Sequence, residues 1–232
     1  MHIPDGFLTS ATWVPAWLLS MGGIGYSLKK ASQTLRERMI PLMGVMSAFI
    51  FAAQMVNFPV MSGTSGHLLG GVLAAVLLGP YAGAIVLTCV LIVQCLIFQD
   101  GGLTALGANI FNMSIVGTMG GYGVYKIISG NSGNRKAVLA GTAVASWFSV
   151  VAASSCCAIQ LALSDLSPLA VVLPAMAGVH AVIGVGEAMI TTVVIGFVLK
   201  VRPDLLYGLP RQQTNGTSSM LQTRSLREED AL

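Results

Sequence analysis

Long apolar runs, broken by glycine, proline and short polar stretches, make up most of this chain. Seven runs can be distinguished, at about 10–29, 39–56, 67–79, 81–98, 103–127, 137–162 and 169–200. A helix needs roughly 20 apolar residues to span a bilayer. Since hydrophobic residues reach 54% and charged residues only 9%, a soluble domain is excluded. The pattern predicts an all-α integral membrane protein, with a seven-transmembrane-helix bundle over residues 1–202 and a polar cytoplasmic tail over 203–232.

The positive charges lie in three clusters. All 12 Lys and Arg residues lie at or beyond the end of the first run and before the second, at or beyond the end of the fifth and before the sixth, or from the end of the seventh onwards. Seven crossings bring the three clusters to one side of the membrane, which the positive-inside rule makes the cytoplasmic side. We therefore expect a multi-pass protein with its N-terminus outside and its C-terminus in the cytoplasm. A formal net charge of +3 gives no support to nucleic-acid binding.

The chain begins with Met1-His2, and this terminus can chelate a metal ion. The first basic residue is Lys29, so no basic region typical of a signal peptide precedes the first run, and the bulky His2 disfavours removal of Met1. The Met1 amine, the Met1–His2 amide nitrogen and His2 Nδ1 can close two chelate rings in one plane, which suits Ni(II) or Cu(II) better than Zn(II). Because the amine and the amide must lose protons, binding should weaken as pH falls. The alternative is a histidine at position 2 by chance.

His67 is the candidate for a fourth nitrogen ligand. It follows an outer loop rich in glycine, serine and threonine. We expect His67 to open the third helix with Ser65 as the N-cap. The partial positive charge of a helix N-terminus would then keep the imidazole neutral. Because the third run is short for a membrane span, it either extends into this loop or forms a partial, re-entrant helix.

Other polar side chains near this end of the bundle have more than one interpretation. His180 and Glu187 are seven residues apart, hence on one helix face, and ionisable groups within spans usually serve a function. His180 is predicted to support the ligands or to bind the ion transiently, although structural hydrogen bonding explains the pair equally well. Asn109 and Asn112 could hold ligating imidazoles or the N-terminal segment, or join helices. We interpret Gln94 as a helix contact.

Three motifs give the chain its resemblance to a known family. Residues 1–6, 63–71 and 100–109 resemble the CbiM/NikM family, the metal-binding membrane subunits (S components) of energy-coupling factor (ECF) transporters for cobalt and nickel. The resemblance extends over roughly residues 1–200. It implies an S-component-like bundle whose extra N-terminal helix carries the N-terminus into the pocket, and it implies that Met1, His2 and His67 bind the metal.

The resemblance also implies partners and a location. A transmembrane coupling subunit (T component), ATPase subunits (A components) and often a small accessory membrane subunit would complete the transporter in the cytoplasmic membrane of a prokaryote. Small residues at four-residue spacing on the second helix, Gly44, Ala48 and Ala52, would dock the coupling subunit. Pro4-Asp5 is more similar to nickel members than to cobalt members, and square-planar nitrogen ligation independently favours Ni(II). We predict a nickel receptor that is not an enzyme, with Co(II) as the alternative ion.

Three other functions compete with this prediction. The first is a metal-dependent intramembrane enzyme that uses His67, His180 and Glu187, although the chain has neither the His-Glu-x-x-His zinc motif nor a P-loop. The second is a vitamin-binding subunit of the same transporter class, which needs an aromatic pocket, whereas aromatic residues are only 7% of the chain. The third is a passive channel, which would conduct without ATPase partners.

Overall fold

The computed structural model describes residues 1–35, 37–60, 64–130 and 134–208. Within these ranges the chain forms seven helical segments, each overlapping one predicted run, and one antiparallel hairpin. The helices are α1 Ser10–Thr34, α2 Ile40–Met55, α3 Gly71–Leu78, α4 Pro80–Phe98, α5 Leu106–Ile110 continued by a π-helical stretch Phe111–Gly120 and α6 Gly121–Ser129, α7 Arg135–Leu163, and α8 Leu169–Val201. The hairpin pairs β1 Phe58–Val60 with β2 Thr64–Gly66, and 3₁₀ turns lie at Glu37–Met39 and Pro203–Leu205.

The long helices have the composition of membrane spans. Among the described residues, α4, α7 and α8 are long and apolar enough to cross a membrane, and α2 is a shorter apolar helix. Large apolar side chains such as Leu18, Val182 and Phe197 are exposed on the outside of the bundle, where lipid can cover them. The chain therefore has the architecture of a helical membrane protein.

The third apolar run forms a partial helix. α3 has only eight residues, all of them buried, so it is about 12 Å long at 1.5 Å per residue. This length is well short of the ~30 Å hydrocarbon core. Gly79 has a φ of +90° and ends α3, and Pro80 then opens α4. α3 is therefore a partial helix, and it reaches the length of a span only together with the extended segment that precedes it.

The prediction that His67 opens this helix with Ser65 as its N-cap is wrong. α3 begins at Gly71, and Gly70 precedes it in the left-handed conformation with a φ of +74°, which glycine adopts at little cost. Ser65 lies in β2, and His67 lies in the extended segment between β2 and α3. Gly63 lies outside the described residues.

Polar pairs join the helices inside the bundle. Asn112 of the π-helical stretch donates to Gln160 of α7 at 2.7 Å, and Gln160 donates back to Asn112 at 2.9 Å. Both amides are buried, so their reciprocal bonds satisfy groups that would otherwise be costly to bury. This is the helix-joining alternative considered for Asn112.

The first residues of the predicted tail pack against the bundle. The Tyr207 amide donates to the Val76 carbonyl at 2.9 Å, and Leu206 is buried. Leu206 and Tyr207 of the predicted tail therefore form part of the bundle. The rest of the tail, from residue 209, lies outside the described residues.

Candidate metal-binding site

The N-terminal segment enters the bundle and is fixed there by its backbone. Met1, His2 and Ile3 are at most 3% exposed. Asn109 accepts a hydrogen bond from the Ile3 amide at 2.9 Å and donates to the Ile3 carbonyl at 3.2 Å. The Gly102 amide also donates to that carbonyl at 2.8 Å. Asn109 therefore holds the N-terminal segment, which is one of the roles considered for it.

A second anchor follows at Asp5. Its carboxylate accepts hydrogen bonds from the Leu103 amide at 2.9 Å, and from the Thr104 amide at 2.7 Å and hydroxyl at 2.6 Å. These bonds lower the pKa of Asp5, because they stabilise the charged form. Gly102 permits the approach of the two segments, since a Cβ there would lie 2.2 Å from the Asp5 amide nitrogen. Residues 100–109 thus bind and position residues 1–6.

Three nitrogens of the N-terminus converge on one atom, the hydroxyl oxygen of Ser65. Ser65 Oγ lies 3.1 Å from the Met1 amine, 3.2 Å from the His2 amide nitrogen and 3.3 Å from His2 Nδ1. The Met1 amine also donates to the Ser65 carbonyl. These are the three nitrogens expected to form the chelate, and they face one point.

Gln94 contacts the ring of His2. His2 Nε2 lies 3.1 Å from Gln94 Oε1, and since a carboxamide oxygen can only accept, this contact is a hydrogen bond in the tautomer that carries its proton on Nε2. In that tautomer the lone pair of His2 is on Nδ1, beside Ser65 and 3.3 Å from Asp100 Oδ1. The interpretation of Gln94 as a helix contact is therefore wrong, because its oxygen contacts the N-terminal histidine.

His67 lies against His2 with its distal nitrogen unpaired. The two rings stack with centroids 4.6 Å apart and planes 25° apart. His67 Nδ1 lies 2.7 Å from the Leu68 carbonyl, so Nδ1 carries the proton and Nε2 carries the lone pair. His67 Nε2 is buried without a hydrogen-bond partner among the described residues. A lone pair oriented by a backbone bond on the other ring nitrogen is the usual state of a metal-binding histidine.

Burial keeps these nitrogens neutral. It lowers the pKa of the Met1 amine from 8.0 to about 5 and that of His2 from 6.5 to about 3, since desolvation penalises a cation. The contact of His2 with Asp100 therefore involves a neutral imidazole. His67 is also buried, although it does not lie at the N-terminus of a helix.

Glu187 supports the segment that carries His67. Its carboxylate accepts hydrogen bonds from the Leu69 amide and, at 2.8 Å, from the Gly70 amide. Gln54 of α2 donates to the Leu69 carbonyl at 2.8 Å. Both side chains are buried. The non-helical backbone between β2 and α3 is thus satisfied by side chains of α8 and α2, and the sequence analysis did not anticipate the part of Gln54.

His180 lies on the same face of α8 as Glu187. The residue is fully buried, and its Nδ1 lies 2.8 Å from the Met176 carbonyl. Its Nε2 has no hydrogen-bond partner among the described residues.

The site is reached through a cavity at the end of the bundle where α4 ends. Its volume is about 660 Å³, and its lining includes His2, Asp5, Asn57, Ser65, Cys95 and Asp100. Burial raises the pKa of Asp100 above its usual value. In the described ranges, no three or more His, Cys, Asp and Glu side chains form a cluster able to hold a metal.

The chain is similar in sequence to a family of metal-uptake proteins and to individual nickel transport proteins. The profile of the CbiM family, described as the cobalt uptake substrate-specific transmembrane region, matches residues 2–205. A fused nickel transport protein NikMN of Archaeoglobus fulgidus is 41% identical over 208 residues, which cover 89% of this chain and 68% of the relative. The fused nickel transport protein NikMN of Rhodobacter capsulatus is 34% identical over 230 residues, covering 89% of this chain and 64% of that protein.

The fold has a counterpart among solved structures. The crystal structure of a transition metal transporter superposes with a TM-score of 0.81 at 34% identity, covering 87% of this chain and 93% of that one. Together with the match of the family profile over residues 2–205, this likeness leads to one conclusion: the chain belongs to the CbiM family of metal-uptake membrane components.

Proposed function

We propose that this chain is the substrate-binding subunit of an ATP-driven, ECF-type nickel uptake transporter. It binds Ni(II) in a square plane formed by the Met1 amine, the Met1–His2 amide nitrogen, His2 Nδ1 and His67 Nε2. The observation that carries the proposal is the convergence of the first three nitrogens on Ser65 Oγ, at 3.1, 3.2 and 3.3 Å.

The protonation states of these donors suit the chelate. The His2 amide N–H points at Ser65 Oγ, so once deprotonated its lone pair points the same way. The hydrogen bonds of His2 Nε2 and His67 Nδ1 leave lone pairs on the two ring nitrogens that the chelate requires. Only the amide must lose a proton near neutral pH, because burial has already lowered the pKa of the amine.

The donor set supports nickel as the transported ion. Four nitrogens in a plane are a geometry that Ni(II) and Cu(II) accept. Two relatives carry nickel transport in their names, which supports the same ion here. Cobalt is the second candidate, because the family is described by cobalt uptake.

The fold and the basic clusters support a membrane topology for the chain. We infer seven crossings, with the N-terminus outside the cytoplasmic membrane and the C-terminus inside. The third crossing combines the extended segment 64–70 with α3. Non-helical backbone is tolerated at membrane depth only where protein satisfies it, as Glu187 and Gln54 do here.

Partner subunits would supply the energy for transport. ATPase subunits would hydrolyse ATP, a transmembrane coupling subunit would transmit the change, and a small accessory membrane subunit would join them. Three small residues of α2 are exposed, namely Gly44, Ala48 and Ala52. The buried residues of the same helix are Met46, Ile50 and Gln54. This exposed stripe of small residues supports docking of the coupling subunit, since small residues allow close helix approach.

Extension of the N-terminus tests the chelate. Purified protein beginning at Met1 is compared with protein carrying one extra glycine before Met1, and with a control carrying the extra glycine at its C-terminus. Calorimetry should give about one Ni(II) per chain, and visible absorption should show the yellow band of a square-planar ion. Both signals should be lost only on N-terminal extension. Equal binding by all three proteins would refute the terminal chelate.

A further inference from the structure

We propose that His180 is a further nitrogen ligand of the transported ion, which binds from α8 and replaces His67 when the ion leaves the square plane. This inference rests on the proposed function and adds a donor to the same site. A fifth nitrogen would let the ion exchange one ligand for another without passing through a poorly coordinated state.

The first observation is the state of the His180 ring. Its Nδ1 lies 2.8 Å from the Met176 carbonyl, so Nδ1 carries the proton and the lone pair is on Nε2. Nε2 is buried and has no hydrogen-bond partner among the described residues, a state that is costly and therefore needs an explanation. The hydrogen bond to the Met176 carbonyl satisfies Nδ1, and the lone pair on Nε2 is left to bind a metal.

The second observation is that His67 has the same arrangement. In each histidine a backbone carbonyl binds Nδ1, at 2.7 Å for His67 and 2.8 Å for His180, and Nε2 is buried without a partner. Side chains held by a bond on one ring nitrogen, with the other free, are oriented as metal ligands are.

The third observation is the register between α8 and residues 64–70. Thr64 Oγ1 donates to Met176 Sδ at 3.3 Å, and the side chain of Ile183 would lie 3.1 Å from a Cβ at Gly66. One turn further along α8, Glu187 accepts from the Gly70 amide at 2.8 Å. The extended segment therefore follows α8 turn by turn.

His180 occupies the turn between Met176 and Ile183, and is thus level with Ser65. Ser65 Oγ is the atom on which the Met1 amine, the His2 amide and His2 Nδ1 converge, at 3.1, 3.2 and 3.3 Å.

A double-mutant cycle tests the inference. His67→Ala keeps the terminal chelate, and His180 should then complete it. His180→Asn removes Nε2 while its amide can still donate to the Met176 carbonyl. We expect His180→Asn alone to change the Ni(II) dissociation constant by less than about threefold and to slow Ni(II) release to a chelator by about tenfold or more. In the His67→Ala background it should weaken binding by at least about tenfold.

Controls separate the outcomes. Thr191→Val, on the same buried face of α8, should leave affinity and release unchanged, and His180→Gln replaces His180→Asn if the latter does not fold. The inference is overturned if His67→Ala binds Ni(II) equally with and without His180 and release is unaltered, while unmutated protein still binds through its terminus. If unmutated protein does not bind Ni(II), or binds it equally after N-terminal extension, the proposed function fails first and this ligand fails with it.

Discussion

Asn109 provides a direct test of whether the docked N-terminal segment creates the metal site. It accepts from the Ile3 amide at 2.9 Å and donates to the Ile3 carbonyl at 3.2 Å, and Ile3 is fully buried. Asn109→Ala removes both bonds. The Ile3 carbonyl keeps its bond from the Gly102 amide at 2.8 Å, but the Ile3 amide is left buried without an acceptor.

The size of the effect follows from these bonds. A buried donor left unsatisfied costs about 1–3 kcal/mol, and the carbonyl loses one of two bonds, so docking of the segment should weaken by about 2 kcal/mol. The chelating nitrogens are in place only while the segment is docked. The loss lowers metal affinity to the extent that the segment undocks in the variant, up to a limit of about 30-fold weaker Ni(II) binding.

Asn112→Ala is the matched control. Asn112 lies three residues further along, is also buried and also makes two side-chain bonds, but to Gln160 rather than to the N-terminus. Both variants should lower the thermal midpoint in detergent, whereas only Asn109→Ala should weaken Ni(II) binding measured by calorimetry. The reasoning is refuted if the two variants weaken Ni(II) binding equally, or if Asn109→Ala binds like the unmutated protein.

Three further predictions concern protons and the His67 segment. Burial lowers the pKa of the Met1 amine from 8.0 to about 5. Ni(II) binding at pH 7 should therefore release about one proton, from the amide, rather than the roughly two expected of a free peptide. Calorimetry in buffers of different ionisation enthalpy measures the number of protons released, and a value near two would contradict a neutral buried amine. Because the unfolded chain binds this proton up to pH 8.0 and the docked amine does not above about 5, docking should strengthen as pH rises through that window. Glu187→Gln leaves only one acceptor for the Leu69 and Gly70 amides, so Ni(II) affinity should fall about 10- to 100-fold; unchanged affinity in a titration would show that the His67 segment needs no such support.

The positions of the helices were predictable because hydropathy decides them. All seven apolar runs overlap a helical segment, since burial or lipid contact of apolar side chains is the dominant energy for this composition. The start of α3 was not predictable by the same means. Residues 67–70 form no helix, and Glu187, more than 100 residues further along the chain, accepts the amides of Leu69 and Gly70. A local capping pattern at Ser65 carries no information about that distant carboxylate.

The donor atoms of the candidate site were predictable from the sequence, but the residues that hold those donors in place were not. The amine, the amide nitrogen and the imidazole of Met1-His2 are spaced by covalent bonds, so the sequence alone specifies that they can form a chelate. Gln94 is indistinguishable in sequence from any glutamine that joins two helices, and only the fold brings its oxygen within 3.1 Å of His2 Nε2. The only available signal was its position near the same end of the bundle as the histidines.

The complete burial of Met1 and Ile3 has a thermodynamic consequence. The Met1 side chain packs in a core cluster with Leu69, Leu91 and Met113, so the first residues lose their conformational freedom when the bundle folds. Ordering a backbone costs about 1–2 kcal/mol per residue, and here that cost is met by the apolar core before any ion arrives. The donor nitrogens are thus preorganised, and capture of the ion should proceed with a far smaller entropy loss than chelation by a free Met-His peptide.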